Sequence, residues 1–325
     1  VRLPKFEYFE PATVDEASSI LLDRPGAKIL AGGTDLLVNM KHRVETPAVL
    51  VNIKKIPNLS YVRSENGGLA IGALTRLKKV FGHPDVADRA GALAGAASSV
   101  GSYHHQTMGT LGGNVLQQTR CKFFNQSKWW RSSRPLCYKA GGEMCYVVNK
   151  KETCFSSYCG DVAPALLVLD ASATLSGANG TRSVKLSELY SGEGRKPLQI
   201  KLEETLTEIT IPAESLRGIS VYRKVANRES IDFPIVGAAV WASFDKKEYR
   251  VAYTAVDRKP VRALKAEELL NGEDLNDALL DEAAALAAKE ATPVKSSLYA
   301  PSYKRKMMGT LLKTSLRELM GRAGQ

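Results

Sequence analysis

The stretch from Thr107 to Asp170 constrains this chain more than any other. It opens with Thr107-Met-Gly-Thr-Leu-Gly-Gly-Asn114 and closes with Gly160-Asp-Val-Ala-Pro-Ala-Leu-Leu-Val-Leu-Asp170, two apolar segments punctuated by glycine. Between them lie all 5 cysteines of the chain: Cys121, Cys137, Cys145, Cys154 and Cys159. An odd number of cysteines packed this closely argues against a disulfide framework and for metal ligation. A loop this long with no structure of its own is uncommon in a compact domain, and a metal would supply the missing core. Phe123, Phe124, Trp129, Trp130, Tyr138, Tyr146, Phe155 and Tyr158 fall in the same insert and are expected to shield such a centre. The spacing C-x15-C-x7-C-x8-C-x4-C has neither the C-x2-C pairs of zinc ribbons nor the tight runs of common ferredoxins. Spacing therefore predicts four thiolates around one centre and leaves zinc and iron–sulfur open, with unrelated free thiols as the lesser alternative.

The flanking sequence reads as a cofactor-binding α/β fold. Thr13-Val-Asp-Glu16 is a capping box that starts a helix running to Pro25-Gly26. Lys28 to Ala31 is a short buried strand, followed by Gly32-Gly33-Thr34-Asp35 and a helix start at Leu36. Strand, glycine turn, helix is a recipe for holding a phosphate, because free N–H groups and a close backbone meet the anion. Alone the turn is weak, being neither a Walker loop nor a Rossmann glycine pattern. A second turn with a threonine, Thr110-Leu-Gly-Gly-Asn114, makes a pair that would clamp a diphosphate from both sides. Val49 to Ile53 and Leu69 to Gly72 are further strands. Thr75 is expected to cap a helix at 76–81, and 86–100 to form one helix. His104-His105 reads as a polar loop, since adjacent extended residues point apart and do not share a metal.

Beyond the insert, Ala163 to Ala171 is apolar and buried, Asn179-Gly180 marks a hairpin, and Leu206 to Ile211 alternates as a strand. The last third changes style. Residues 220–223, 235–244 and 249–256 read as a three-stranded meander, and 263–271, 275–290 and 303–320 as helices, so a separate α+β domain follows.

Charge and hydropathy narrow the class. No apolar run approaches the roughly 18 residues of a membrane helix. The first residues, Val-Arg-Leu-Pro-Lys, carry no apolar signal core, so a cytoplasmic protein is expected. The net charge of +11 is mostly dispersed and reads as a solvated basic surface, with neither nucleic acid nor membrane as partner. The insert is the exception: Arg120, Lys122, Lys128, Arg131, Arg134, Lys139, Lys150 and Lys151 face only Glu143 and Glu152.

These motifs together resemble the flavoprotein subunit of the molybdenum hydroxylase family, which includes xanthine dehydrogenase and carbon monoxide dehydrogenase. The resemblance rests on Ile29-Leu-Ala-Gly-Gly-Thr-Asp-Leu36, Thr110 to Asn114, Asp161 with Pro164, Leu206 in Leu-x-x-Ile-x-Ile-Pro, and Lys224 in Tyr-Arg-Lys-x-Ala-x-Arg. In most of that family the Gly-Gly-Asn turn joins the Asp-x-x-Pro segment through a few residues. The cysteine insert departs from this and resembles the β subunits of 4-hydroxybenzoyl-CoA reductases, whose extra loop carries a [4Fe–4S] cluster. By that resemblance Cys121, Cys137, Cys145 and Cys154 are the cluster ligands, iron is favoured over zinc, and Cys159 is left as a buried thiol.

The resemblance implies FAD as the second cofactor. Ile29, Leu30, Ala31, Gly32, Gly33, Thr34, Asp35 and Leu36, with Thr110, Leu111, Gly112, Gly113 and Asn114, would hold its diphosphate; Asp161, Leu206 and Lys224 would lie along the flavin. It implies a fold of two α/β subdomains, about 1–56 and 57–215, forming an FAD-binding domain with the insert at about 119–160, then an α+β domain at 216–325. It implies no substrate chemistry on this chain. Its partners would be a molybdenum-cofactor subunit and a [2Fe–2S] subunit in a dimer of heterotrimers, with ferredoxin as donor. An oxidative molybdenum hydroxylase of the same family, or a zinc-stapled binding protein, are the alternatives.

Overall fold

A computed structural model describes residues 2–324. The first unit is a small α/β layer. β1 (Glu7–Phe9), α1 (Val14–Asp23), β2 (Lys28–Leu30), α2 (Leu36–Lys41) and β3 (Val49–Asn52) give a parallel sheet in the order β1-β3-β2. The capping box forms: the Thr13 hydroxyl accepts from the Glu16 N–H, and the Glu16 carboxylate accepts from Ala12. β3 is buried at every position, as a central parallel strand covered on both faces must be.

The second unit begins with the hairpin of β4 (Val62–Glu65) and β5 (Gly68–Gly72). Short helices follow: α3 (Leu77–Phe81), α4 (Pro84–Arg89), α5 (Gly91–Ser98), α6 (Tyr103–Met108) and α7 (Leu111–Val115). The structure departs from expectation at three places. Thr75 caps nothing; its hydroxyl donates to the Tyr61 carbonyl and accepts the Tyr61 N–H, strapping the chain before β4. The helix expected at 86–100 breaks at Ala90, where φ −130 and ψ 52 leave the helical region. His104 and His105 lie on α6 rather than in a loop, and the ring of His105 bonds the Ser102 hydroxyl at 2.9 Å.

The insert carries α8 (Lys128–Ser132) and a two-residue hairpin, β6 (Met144–Cys145) with β7 (Lys150–Lys151). α9 (Val162–Val168) follows, buried throughout. Then come β8 (Ser172–Gly177), β9 (Gly180–Lys185) and β10 (Thr205–Ile211), which complete an antiparallel sheet in the order β4-β5-β10-β8-β9. The Asn179-Gly180 turn sits where expected, with Gly180 at φ +101.

The last third is the expected strands-then-helices unit: β11 (Ile219–Val225), β12 (Val236–Ser243), β13 (Glu248–Thr254) and β14 (Val261–Arg262), then α10 (Leu264–Leu270), α11 (Asp277–Glu290) and α12 (Pro301–Ala323). The sheet has four strands, not three; β14 is too short to show an alternating pattern. Period-2 alternation explains why β12 is buried at all its residues. Ala239 and Trp241 face the core of the second unit, while Ala238, Val240 and Ala242 face the helices α10 to α12. Trp241 anchors this junction, its indole N–H donating to the Ser215 carbonyl at 2.7 Å. Truncating a buried tryptophan of this kind costs about 3–5 kcal/mol. The architecture is thus α+β, with one sheet shared between two cores.

Candidate flavin cradle and cysteine centre

The two glycine turns meet in space. A Cβ on Gly32 would lie 2.3 Å from the Met108 carbonyl oxygen and 2.9 Å from the Gly109 Cα, so only glycine permits this approach. Gly33 takes φ +74 and turns the chain into α2. Among the described residues, the N–H groups of Gly33, Thr34, Asp35 and Leu36 have no hydrogen-bond partner within the chain. They are half-buried, in the arrangement that accepts an anion. Ile29 and Leu30 hold the turn from β2, Leu30 packing on Met40 and Leu50, and Ala31 packs beside the first core.

The second turn is spent differently. The N–H groups of Leu111 and Gly112 donate to the Thr75 and Ala73 carbonyls, both at 2.9 Å. The Thr110 hydroxyl caps α7 by accepting from Gly113 at 3.1 Å. Gly112 lets α7 lie against the sheet, since a Cβ there would meet Ala73 at 2.9 Å and the Leu206 side chain at 3.3 Å. Leu206 is therefore a buried neighbour of the second turn. Asn114 spans the insert: its side-chain oxygen accepts from the Val162 N–H at 3.1 Å, and its carbonyl accepts from the Tyr158 hydroxyl at 3.1 Å. Asn114, rather than Asp161, caps α9.

Asp161 instead forms a buried cluster. It accepts from the Tyr222 hydroxyl at 2.8 Å and lies 3.1 Å from the Lys224 ammonium, which also donates to the Ser99 and Asp232 carbonyls. Burial pushes the Asp161 carboxyl up to about 6, with Lys224 and Tyr222 pulling the other way. The same burial, with Asp161 beside it, pushes the Tyr222 phenol well above its ordinary value. Lys224 is thus neither free nor on the surface.

The insert closes on itself at a neck. Arg120 and Ser157 form an antiparallel bridge, with N–H to carbonyl bonds of 2.7 and 2.9 Å. Arg120 also pairs with Asp35 of the first turn and stacks on Phe233. Inside the neck, Cys121, Cys137, Cys145 and Cys154 line one small pocket, with Phe123, Phe124, Tyr138 and Tyr146. Four of the aromatics expected around a centre line this pocket. Trp129 instead stands 81% exposed, and Tyr158 is enclosed in the main core. Burial pushes the Cys121 thiol up to about 11 and raises Cys154 as well, and both would need compensation to bind as thiolates. Among the described residues, no three cysteine, histidine or carboxylate groups converge tightly enough to hold a single metal ion. Four thiols are the donor set of either a tetrahedral zinc or a [4Fe–4S] cluster. Cys159 lies outside this cavity, buried, with its thiol on the Ser157 carbonyl at 3.5 Å.

Several members of the site carry no mark in the sequence. Tyr222 stands in the motif that carries Lys224, yet nothing local says it will meet Asp161. The partnership of Asp35 with Arg120 joins distant segments. Lys139 turns inward: it donates to the Thr119 carbonyl and hydroxyl and to Ser156, whose hydroxyl is 3.1 Å from the Cys154 sulfur. Burial lowers the Lys139 ammonium, and the Cys154 and Cys121 sulfurs raise it.

Comparison with known proteins agrees with this geometry. Residues 4–214 match the FAD binding domain in molybdopterin dehydrogenase, and residues 220–319 the CO dehydrogenase flavoprotein C-terminal domain. The chain is 31% identical over 278 residues to the nicotinate dehydrogenase FAD-subunit of Eubacterium barkeri, covering 83% of this chain and 81% of that one. It is 32% identical over 280 residues to the aldehyde oxidoreductase FAD-binding subunit of Escherichia coli K12, covering 82% and 86%. The carbon monoxide dehydrogenase structure of Hydrogenophaga pseudoflava superposes with a TM-score of 0.81 at 26% identity, over 99% of both chains. Two glycine turns in contact, the buried Asp161 cluster and these full-length likenesses lead to one conclusion: the chain belongs to the FAD-binding subunits of the xanthine dehydrogenase-type molybdenum hydroxylases, and is an oxidoreductase subunit.

Proposed function

We propose that this chain is the FAD and [4Fe–4S] subunit of a molybdenum-containing 4-hydroxybenzoyl-CoA reductase, serving electron entry while the substrate is handled on a partner. The observation that carries the reading is the convergence of Cys121, Cys137, Cys145 and Cys154 on one cavity, inside an insert that interrupts a flavin cradle. Residues 29–36 and 110–114 would hold the FAD diphosphate, the first through free N–H groups and the second by fixing the turn it touches. Asp161, Leu206 and Lys224 would lie along the flavin. Bound here, FAD would exchange one or two electrons and the cluster one, so that a single-electron donor is matched to two-electron chemistry. The chain's own residues would position these groups, place aromatic rings around the cysteines and fix a buried charge pair beside the flavin.

The flavin domain ends near 215, and 216–325 forms the second domain. The partners are a molybdenum-cofactor subunit and a [2Fe–2S] subunit in a dimer of heterotrimers in the cytoplasm. Relatives named as an FAD-subunit and a medium chain support such an assembly. The basic insert would steer an acidic ferredoxin, which predicts transfer rates that fall steeply with salt; a flat response refutes the steering.

The test is anaerobic purification of the native complex with iron, sulfide and flavin analysis. About four irons beyond those of the [2Fe–2S] partner are expected, lost in Cys137→Ser and kept in Cys159→Ser. Turnover of 4-hydroxybenzoyl-CoA with a low-potential donor then tests the substrate. The names of the two relatives above favour a second reading, oxidation of a heterocycle or aldehyde. Activity on such compounds, without activity on the thioester, selects it.

A further inference from the structure

The ammonium of Lys139 has three N–H donors and no acceptor. All three are taken: the Thr119 carbonyl at 3.1 Å, the Thr119 hydroxyl, and the Ser156 hydroxyl at 3.3 Å. Each hydroxyl therefore accepts from Lys139 and keeps its single proton for another partner. Thr119 has the Gly194 carbonyl at 2.8 Å and the Ser156 oxygen at 2.6 Å. When Thr119 donates to Ser156, the Ser156 proton has two outlets, the Gly194 carbonyl and the Cys154 sulfur, both at 3.1 Å; when Thr119 donates to Gly194, its own oxygen at 2.6 Å is a third. A thiolate is the stronger acceptor, because a hydrogen bond to an ionised partner is about twice as strong as a neutral one. Lys139 is also enclosed, with the buried Phe124 ring 5.0 Å from its ammonium, so its charge is poorly screened.

We propose that Lys139, acting through Ser156, keeps a hydrogen bond on the Cys154 sulfur and so raises the reduction potential of the cluster that the four cysteines hold. The proposal rests on reading those cysteines as cluster ligands. Lys139 and Ser156 are positioning residues. Reduction adds one electron from a low-potential donor; no bond forms or breaks and no proton moves. The thiolate-held centre gains one negative charge, which a proton donor at sulfur and a fixed cation nearby both favour. Cys121 receives a weaker bond of the same kind, from the Phe123 N–H at 3.5 Å.

The experiment is a redox titration of the anaerobic holo complex followed by electron paramagnetic resonance, with iron and sulfide measured first. Ser156→Ala and Lys139→Gln are expected to keep iron and sulfide. The reduced fraction at a fixed poise should fall by about tenfold, a shift of about 59 mV for one electron. The double variant should fall short of the sum of the two, as members of one network do, and Ser156→Thr should restore the potential. Iron-replete Ser156→Ala with the parent potential overturns the proposal. Parent protein without cluster iron overturns instead the assignment of the cysteines. If Lys139→Gln loses iron, the unmutated complex moved into heavy water gives a second readout. A coupled exchangeable deuteron at the cluster is expected, and its absence overturns the proposal.

Discussion

Asp161 should give this protein an unusual pH dependence. Its carboxyl is buried, and burial outweighs Lys224 and Tyr222, leaving it at about 6 against an ordinary value of 3.8. A carboxyl raised in the fold binds its proton more tightly than the unfolded chain does. The folded state is therefore favoured as pH falls from above 6 toward 4, the reverse of ordinary acid denaturation. The full difference corresponds to about 3 kcal/mol, of which about 1.4 kcal/mol develops between pH 7.5 and 5. Other carboxylates, such as Glu204 beside Arg182, are lowered and work in the opposite direction, so the measurement is a comparison. Urea unfolding of the chain and of Asp161→Asn, followed by the fluorescence of buried Trp241, should be run from pH 7.5 to 5. The parent should gain about 1.4 kcal/mol on the variant over that range, whatever the offset between them at pH 7.5. Parallel curves refute the reasoning, because they mean the carboxyl titrates alike in both states.

Two further substitutions test the cradle. Gly32→Ala forces a Cβ to within 2.3 Å of the Met108 carbonyl, so the two turns must part; flavin content, read from visible absorbance, should drop severalfold while the far-ultraviolet spectrum stays that of the parent. Asn114→Ala removes the acceptor of the Val162 N–H and thus the cap of α9; a loss of about 1 kcal/mol in urea unfolding is expected.

Much of the fold was legible because the deciding patterns are local. The capping box at Thr13, the Asn179-Gly180 turn and the alternation of β11 to β13 each depend on neighbours within a few residues. Thr75 misled because a hydroxyl before a helical stretch looks like a cap, while the real competitor, the Tyr61 backbone, lies 14 residues away. α4 and α5 looked like one helix because alanine-rich sequence carries no mark of a break at Ala90. Within the site, the glycines showed where backbone must approach backbone. The clustering of the cysteines pointed to four thiolates around one centre, but which four they are came only through resemblance, since their spacing fits no common local motif. Tyr222, Arg120 and Lys139 were invisible in role: each meets its partner only after the sheets and the insert have assembled.

The neck at Arg120 and Ser157 explains how such an insert coexists with a flavin cradle, and it makes a sharp prediction. Residues forming a hydrogen-bonded antiparallel bridge lie about 5.5 Å apart at Cα, the span a two-residue hairpin turn closes. The contacts that fix the cradle, Asn114 to Val162, Tyr158 to Asn114 and Gly32 to Met108, all lie outside residues 121–156. Replacing 121–156 by Asn-Gly should therefore leave flavin content near that of the parent while removing all iron held by this chain. The cost should stay small, because the excised residues contribute no side chain to either main core. Loss of flavin from a folded excision variant would show that the cradle depends on the insert, and that Arg120 holds Asp35 in place only when the cysteine loop stands behind it.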